Sequence, residues 1–258
     1  MNVAIASYAF HGLVRAGTMD LFGYLESCRY RYDLRTADIW NGMLTSVDDA
    51  YLAKVKHALA ERELVLVNLC VDGPHIWEDD PAIREQHYQT ALTYLHAAEV
   101  LGAQTLRIDA GVRADHFTPE QFDGIVMRYQ EYAQRAYDSG FRVGPENHWG
   151  AEVVPANMKQ LCESVAHPGF GVLLHFRNDE GDAVMAPWAM HTHIALEITE
   201  HGLEANMQML RAAGYHGCWS VEHHSGQHEY TEVAIQLARV RDVLSRWELE
   251  RVAERDGM

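Results

Sequence analysis

The sequence predicts an α/β protein built as a single (β/α)8 TIM barrel. Short apolar runs rich in β-formers alternate with longer amphipathic stretches along the whole chain. Eight such strand–helix units in 258 residues match the size of this barrel. No Pro- or Ser-rich linker interrupts the alternation, so we expect residues 1–258 to form one domain.

The predicted strands are short and apolar, and polar residues follow most of them. In chain order they cover residues 3–7, 36–40, 64–70, 104–109, 141–146, 171–176, 190–196 and 218–222. The predicted helices lie near residues 17–29, 46–62, 81–101, 118–139, 154–166, 180–188, 203–213 and 229–252, and the sixth has the weakest pattern. Thr118 before Pro119 marks a helix start, and Gly102, Gly140 and Gly214 mark helix ends.

A doubly wound open sheet is the competing fold. In its dinucleotide-binding form, a Gly-x-Gly-x-x-Gly motif follows the first strand. Residues 8–12 read Tyr-Ala-Phe-His-Gly, which does not match that motif. The count of eight units therefore favours the closed barrel.

The charge and the cysteines restrict the class of partner and the compartment. The chain carries 21 Lys and Arg against 37 Asp and Glu, a formal charge of −16, which argues against a nucleic-acid or membrane-surface partner. The N-terminus lacks signal-peptide features, and no apolar run is long enough to span a bilayer. The four Cys form no CxxC pair, as expected for free thiols in the cytoplasm. Residues 207–210 are interpreted as core or as a contact in a homo-oligomer.

Histidines concentrate where the predicted strands end. Nine of the sixteen lie at or just beyond these ends: His11, His75, His148, His175, His191, His193, His223, His224 and His228. The catalytic face of a (β/α)8 barrel is formed by the carboxyl ends of its strands. The distribution therefore indicates a functional site on that face.

Four residues at the ends of the fifth to eighth strands have the chemistry of metal ligands. They are Glu146, His175, His193 and Glu222. Two carboxylates and two imidazoles suit Mn²⁺, Zn²⁺, Fe²⁺ or Co²⁺ better than Mg²⁺, which prefers oxygen ligands. Strand alternation puts His191 on the same face as His193, so either imidazole could be the ligand.

Several segments around these residues resemble the xylose-isomerase-like TIM barrels, the sugar phosphate isomerase/epimerase family. The segments are Gly-Pro-Glu-Asn-His-Trp-Gly at 144–150, His-Phe-Arg-Asn at 175–178, His193, and Gly-Tyr-His-Gly-Cys-Trp-Ser-Val-Glu at 214–222. Three departures from the family pattern stand out. His175 replaces the usual Asp ligand, Ala195 replaces a Lys, and the connection after His193 is very short.

The resemblance implies a divalent-metal-dependent enzyme with one bound ion. Mn²⁺ is the preferred candidate, and Zn²⁺, Co²⁺ and Fe²⁺ are the alternatives. It also implies proton transfer through a metal-stabilised enediolate, with Glu146 and Glu222 serving both as ligands and as general base and acid. The substrate would be a small carbohydrate-like molecule. A phosphorylated substrate is disfavoured because the sequence shows no Gly-rich or Lys/Arg-rich phosphate cradle.

Six further residues are predicted to contact the substrate: Arg177, Asn178, His148, Arg107, Trp40 and His191. Alternatives stay open for three of them. Arg107 could form a salt bridge with Asp109 instead, His148 could orient a metal ligand, and Trp40 could simply close the barrel mouth.

The predicted function is that of an isomerase or epimerase acting on a sugar or sugar-like substrate. Two alternatives use the same scaffold. A lyase or dehydratase would begin with the same proton abstraction. A degenerate barrel would bind a sugar without catalysis, an alternative motivated by the loss of the Asp and the Lys.

Overall fold

The structure, a computed structural model, describes residues 2–256 and contains eight strands in the described part of the chain. The strands are β1 (Val3–Ile5), β2 (Thr36–Trp40), β3 (Val65–Val71), β4 (Thr105–Ile108), β5 (Arg142–Gly144), β6 (Val172–His175), β7 (Ala189–Ala195) and β8 (Trp219–Glu222). Each predicted strand overlaps one of these. All the strand pairs are parallel, in two runs ordered β1-β8-β7-β6 and β2-β3-β4-β5.

Isolated backbone bridges close the two runs into a ring. Ala6 bridges to Asp38 at one seam, and Val143 and Glu146 bridge to Phe170 and Leu173 at the other. The predicted (β/α)8 barrel is therefore confirmed.

Ten α-helices of the described chain surround the strands. They are α1 (His11–Arg15), α2 (Leu21–Glu26), α3 (Asp49–Glu61), α4 (Pro81–Leu101), α5 (Pro119–Asp138), α6 (Pro155–Val165), α7 (Glu180–Met185), α8 (Leu196–Glu200), α9 (Leu203–Ala212) and α10 (Glu229–Asp256). The start of α5 carries a capping box, in which Thr118 and Gln121 satisfy each other's backbone N–H groups. No helix within residues 2–256 combines the length and the apolar composition needed to cross a membrane.

The first helical region differs from the single helix predicted at 17–29. The helix α1 stops before Gly17, whose φ of +67° is left-handed. Asp20 then caps a new helix, α2, by accepting a hydrogen bond from Gly23 N. A π-helical turn follows at Ser27–Arg31. Local capping thus divides a stretch whose periodicity alone suggested one helix.

The fifth strand is shorter than predicted. It ends at Gly144, so Glu146 lies two residues beyond the strand and is held by its bridge to Leu173. The connection after β7 is short, as predicted, because α8 begins at Leu196 directly after the strand.

Tyr24 stabilises the β1–β2 seam of the barrel. The side chain is fully buried, its hydroxyl donates to Ile5 O at 2.6 Å, and it accepts from Asp38 N at 2.9 Å. The hydroxyl therefore satisfies backbone groups where the strand ladder is interrupted.

We expect Tyr24→Phe to lower the free energy of unfolding by about 1–3 kcal/mol, since Asp38 N would lose its buried partner. Urea denaturation followed by circular dichroism measures the change. Tyr30→Phe is the control, because Tyr30 is 67% exposed and should shift stability by less than about 0.5 kcal/mol. Equal stability of the two variants would contradict a structural role for the Tyr24 hydroxyl.

Candidate active site

A cavity of about 250 Å³ opens at the carboxyl ends of the strands. It is lined by Tyr8, Trp40, Cys70, Asp72, Arg107, Glu146, His148, His175, Glu222 and His224. Sites for drug-sized ligands have volumes of about 300–1,000 Å³, so this cavity suits a small substrate. Its position is that of the active site in characterised barrels of this fold.

Two carboxylates and two imidazoles converge at this cavity. Glu146, His175, His193 and Glu222 each offer one donor atom, and these atoms all lie within 4.8 Å of one another. His193 Nδ1 is 3.3 Å from Glu146 Oε1 and 3.4 Å from Glu222 Oε2. His175 Nδ1 is 3.1 Å and 3.7 Å from the same two oxygens. The structure thus brings together all four predicted ligands.

The buried amide of Asn147 fixes the position of His175. Its Oδ1 accepts from His175 N at 2.7 Å, and its Nδ2 donates to His175 O at 3.0 Å. This clamp ties the end of β6 to the residue that follows Glu146. Two of the four donors are therefore placed by one side chain.

Asp38 lies beneath the four donors and orients His193. Its Oδ2 accepts from His193 Nε2 at 3.1 Å, which leaves His193 Nδ1 directed at the two glutamates. The same oxygen accepts from His191 Nε2 at 2.8 Å and Ser220 Oγ at 2.7 Å, and Asn68 donates to Oδ1 at 2.9 Å. A carboxylate that holds the far nitrogen of a histidine in this way is the usual support of a metal-binding imidazole.

This geometry distinguishes His193 from His191. His191 is 1% exposed, and its Nε2 is engaged by Asp38 below the cavity, whose lining does not include His191. His193 is the imidazole that contacts both glutamates. The predicted contact of His191 with substrate is therefore corrected, because the side chain points into the barrel interior.

Arg107 forms the centre of a charged cluster on the cavity wall. Its guanidinium reaches Asp109 at 2.9 Å, Asp72 at 2.8 Å and Glu146 Oε2 at 3.2 Å, and it also donates to Val71 O. The salt bridge with Asp109 is present, and Arg107 also lines the cavity, while its contact with substrate stays a prediction. Its charge is neutralised by carboxylates of the protein itself.

Trp40 and His148 also line the cavity, and their contact with substrate stays a prediction. Trp40 Nε1 donates to Asp72 Oδ2 at 2.7 Å, and the Tyr8 ring packs edge-on against the Trp40 ring. His148 Nδ1 lies 3.2 Å from Glu146 Oε2, a contact that suits an orienting role as well as a substrate contact.

Arg177 and Asn178 are placed outside the lining of the cavity. The Asp182 carboxylate accepts from both of their backbone N–H groups and turns the chain away after β6. Asn178, at a φ of +57°, donates to His201 O and is bound by Asn206. Neither residue is among those that the structure brings together at the cavity, and their predicted contact with substrate stays a prediction.

Neighbouring charges determine the protonation of the site in this structure. Burial alone would raise the pKa values of Glu146 and Glu222. The neighbouring His148 and His193 instead hold the pKa of Glu146 below its ordinary range. His193 and His224 do the same for the pKa of Glu222. Burial would lower the pKa of His193, but the surrounding carboxylates, with Glu222 foremost, raise it well above its usual value. The glutamates are therefore ionised, as metal ligands must be.

Sequence reasoning missed Asp38, Asn147, Asp72, Tyr8 and His224 as members of the site. All five lie at or near predicted strand ends, which was a positional signal. Their roles depend on partners far along the chain, and Asp38 and His193 are 155 residues apart. Only closure of the barrel determines which residues become their partners.

A larger cavity, of about 440 Å³, lies at the amino-terminal ends of the strands. It is lined by Asn2, Arg211, Tyr215, His216, Gly217, Trp219, Leu244, Trp247, Glu248 and Arg251. No group of converging metal-ligating side chains of the described chain includes its lining residues. The converging metal-ligating side chains, and not the volume of the cavity, therefore locate the candidate site at the carboxyl ends of the strands.

Comparison with known proteins gives a family and a fold. The sequence model described as "Xylose isomerase-like TIM barrel" matches residues 31–245. No curated protein matches the sequence.

Three solved structures illustrate the likeness. D-allulose 3-epimerase from Methylomonas sp. is 12% identical, with a TM-score of 0.73 over 94% of this chain and 98% of that one. The probable 3-DHS dehydratase of petrobactin synthesis from Bacillus anthracis is 13% identical, with a TM-score of 0.72 over 93% and 99%. A xylose isomerase-like TIM barrel protein from Mycobacterium smegmatis, in complex with magnesium, is 15% identical, with a TM-score of 0.68 over 89% of each chain. At these identities the likeness shows the fold alone.

Glu152 is a buried carboxyl beside the charged cluster. Its Oε1 accepts from Ala110 N at 2.8 Å, and its Oε2 has no hydrogen-bond partner in the described residues. Burial, and then the nearby charge of Asp109, raise the pKa of Glu152 well above its ordinary value. The folded protein therefore retains a proton on Glu152 that the unfolded chain releases.

We expect Glu152→Gln to stabilise the protein increasingly as the pH rises from 5 to 8. A raised pKa in the folded state contributes stability below the unfolded pKa of about 4.3, and this contribution is lost as the pH rises toward the folded pKa. The uncharged Gln removes that loss, which is at most about 1.4 kcal/mol per pH unit for one proton. Urea denaturation at three pH values measures the trend, with the exposed Glu163→Gln as control. A gain that does not vary with pH would contradict the raised pKa.

Proposed function

The chain belongs to the xylose isomerase-like TIM barrel family, and on that premise we propose that it is a divalent-metal-dependent isomerase or epimerase of a small, uncharged sugar-like substrate. The observation that carries the proposal is the convergence of Glu146, His175, His193 and Glu222 at the cavity.

The donor set fits a divalent cation. Two ionised carboxylates and two Nδ1 atoms supply four ligands, and Asp38 supports the imidazole of His193 from behind. When bound, the cation would supply Lewis-acid polarisation of substrate oxygens. With two nitrogen donors, the candidates are Mn²⁺, Zn²⁺, Co²⁺ and Fe²⁺ rather than Mg²⁺.

The two glutamates are not equivalent as proton carriers. Arg107 Nε and His148 Nδ1 each lie 3.2 Å from Glu146 Oε2, whereas Glu222 contacts only imidazoles among its charged partners in the described chain. A permanent guanidinium beside Glu146 makes that carboxylate the weaker base. We therefore assign to Glu222 the removal of the proton from the substrate carbon and, once Glu222 is protonated, the return of that proton to the substrate, while Glu146 stays ionised as a ligand.

The cavity favours a neutral substrate. Among the described residues that line it, Arg107 is the only Lys or Arg, and its charge is taken up by Asp109, Asp72 and Glu146. A phosphate or carboxylate on the substrate would find no uncommitted cationic side chain there. Tyr8 and Trp40 instead present ring surfaces that suit the C–H face of a sugar.

A lyase or dehydratase is the second candidate function. The structural likeness to the probable dehydratase motivates it, and the same abstraction of a proton by Glu222 would begin the reaction. Elimination of water would then replace return of the proton. The two reactions differ in whether substrate is recovered with solvent deuterium on its carbon.

We expect the Mn²⁺-loaded protein to incorporate deuterium from D2O into at least one member of a panel of free ketoses, detected by NMR. Glu222→Gln should slow this exchange by about 100-fold or more, since the amide cannot accept the proton. The matched control is Glu163→Gln, at an exposed position on α6, which should retain full exchange.

Two results would contradict the proposal. Full exchange by Glu222→Gln would remove the assigned role of that carboxylate. If no ketose of the panel exchanges deuterium and one of them instead loses water, the result would favour the dehydratase.

Asp38→Asn should weaken Mn²⁺ binding by about 10–100-fold, because Asn lacks the charge that holds His191 and His193. Isothermal titration calorimetry measures the affinity, with the exposed Asp123→Asn as control. Saturating Mn²⁺ should restore exchange in the Asp38 variant if its role is to position His193. Unchanged affinity would contradict that role.

A further inference from the structure

A second group of metal-ligating side chains lies in the connection from β3 to α4. His75 and Glu78 belong to this connection, and His87 lies on the second turn of α4. Each offers one ligand atom, and the three atoms lie within 4.8 Å of one another. None of the three lines the catalytic cavity. The group is therefore separate from the four donors of the candidate active site.

The spacing of these atoms is close to that of a tetrahedral metal site. His75 Nδ1 is 2.9 Å from Glu78 Oε1, and His87 Nδ1 is 3.5 Å from the same oxygen. Bond lengths of about 2.0–2.1 Å to nitrogen and oxygen place neighbouring ligands of a tetrahedral Zn²⁺ about 3.3 Å apart. The two measured separations lie on either side of that value.

A backbone hydrogen bond sets the tautomer of His87. Its Nδ1 accepts from His75 N at 3.2 Å, so this nitrogen carries a lone pair and no proton. The same nitrogen lies 3.5 Å from a carboxylate oxygen of Glu78. A cation bound to both atoms would take the place of the His75 N–H on the His87 lone pair.

The backbone that carries the loop ligands is already fixed. Ile76 N donates to Asp109 O at 3.1 Å, and Trp77 N donates to Ala110 O at 2.7 Å. The Arg84 guanidinium lies over the Trp77 ring and donates to Glu78 O at 2.8 Å. Little conformational entropy would therefore be lost on binding.

The side chains remain accessible to an ion from solvent. The exposed fractions of the side chains are 20% for His75, 31% for Glu78 and 23% for His87. Two imidazoles and one carboxylate, with water as the fourth ligand, form a donor set that suits a borderline cation rather than Mg²⁺ or Ca²⁺.

We propose that His75, Glu78 and His87 form a second divalent-cation site, selective for Zn²⁺, that ties the β3–α4 connection to α4. The site adjoins the catalytic rim, since the His75 ring lies 5.2 Å from that of Trp149, which donates to Asp109. Metal binding would replace the hydrogen bond between His75 Nδ1 and Glu78.

Titration of chelator-stripped, full-length protein with Zn²⁺ tests the proposal. The double variant Glu146→Gln/Glu222→Gln removes the carboxylates of the first site, and we expect it to retain one equivalent of bound Zn²⁺. Adding His87→Gln should weaken that remaining equivalent by at least 100-fold. His57→Gln, at an exposed His on α3 that pairs with Glu61, is the matched control and should leave it unchanged.

Co²⁺ gives an independent readout, because a four-coordinate site produces a visible absorption band. The band should be present in the double variant and absent after His87→Gln or Glu78→Gln, with circular dichroism confirming the fold. The proposal is overturned if the double variant binds no Zn²⁺, or if its Zn²⁺ is unaffected by both substitutions. Neither outcome bears on the catalytic proposal, which depends on the other four residues.

Discussion

The hydrogen bonding of one buried carboxylate, that of Asp38, is the interaction on which the candidate site depends. Asp38 is fully buried, and a charge in that position is tolerated only when it is fully paired. Its partners come from three other strands, namely Asn68 on β3, His191 and His193 on β7, and Ser220 on β8. The same contacts therefore join strands across the barrel and aim one imidazole at the cavity.

Arg107 on the cavity wall also pairs with several side chains of the protein at once. A guanidinium at a substrate site usually indicates an anionic ligand, but here three carboxylates of the protein occupy it. The guanidinium contacts both Glu146 and the rim residue Asp72 and so fixes their positions. The restriction to neutral substrates in our proposal follows from this internal pairing.

The sequence allowed the fold and the four converging donors to be predicted, because both depend on local patterns. Strand ends are visible in the alternation of apolar and polar runs, and the barrel brings every strand end to one face. The supporting residues could not be predicted in the same way. Asp38 acts on a histidine 153 residues away and another 155 residues away, and only barrel closure joins them. The hydrogen bonds of Asn178 with His201 and Asn206 depend on a turn set by Asp182, a contact that no periodicity records.

The family pattern that the sequence resembles has Asp at the position of His175, and the imidazole would give the proposed metal site a different charge. Two carboxylates and two neutral imidazoles balance a divalent cation, whereas three carboxylates and one imidazole would leave an excess negative charge. The imidazole also replaces an oxygen ligand by nitrogen, which lowers the preference for Mg²⁺. His175 is stabilised in this position by the Asn147 clamp and by stacking against His224, which itself lies 3.0 Å from Glu222. The hydrogen bonding and packing around His175 therefore hold its imidazole among the four donors, and in the proposed metal site this donor set would favour a borderline cation.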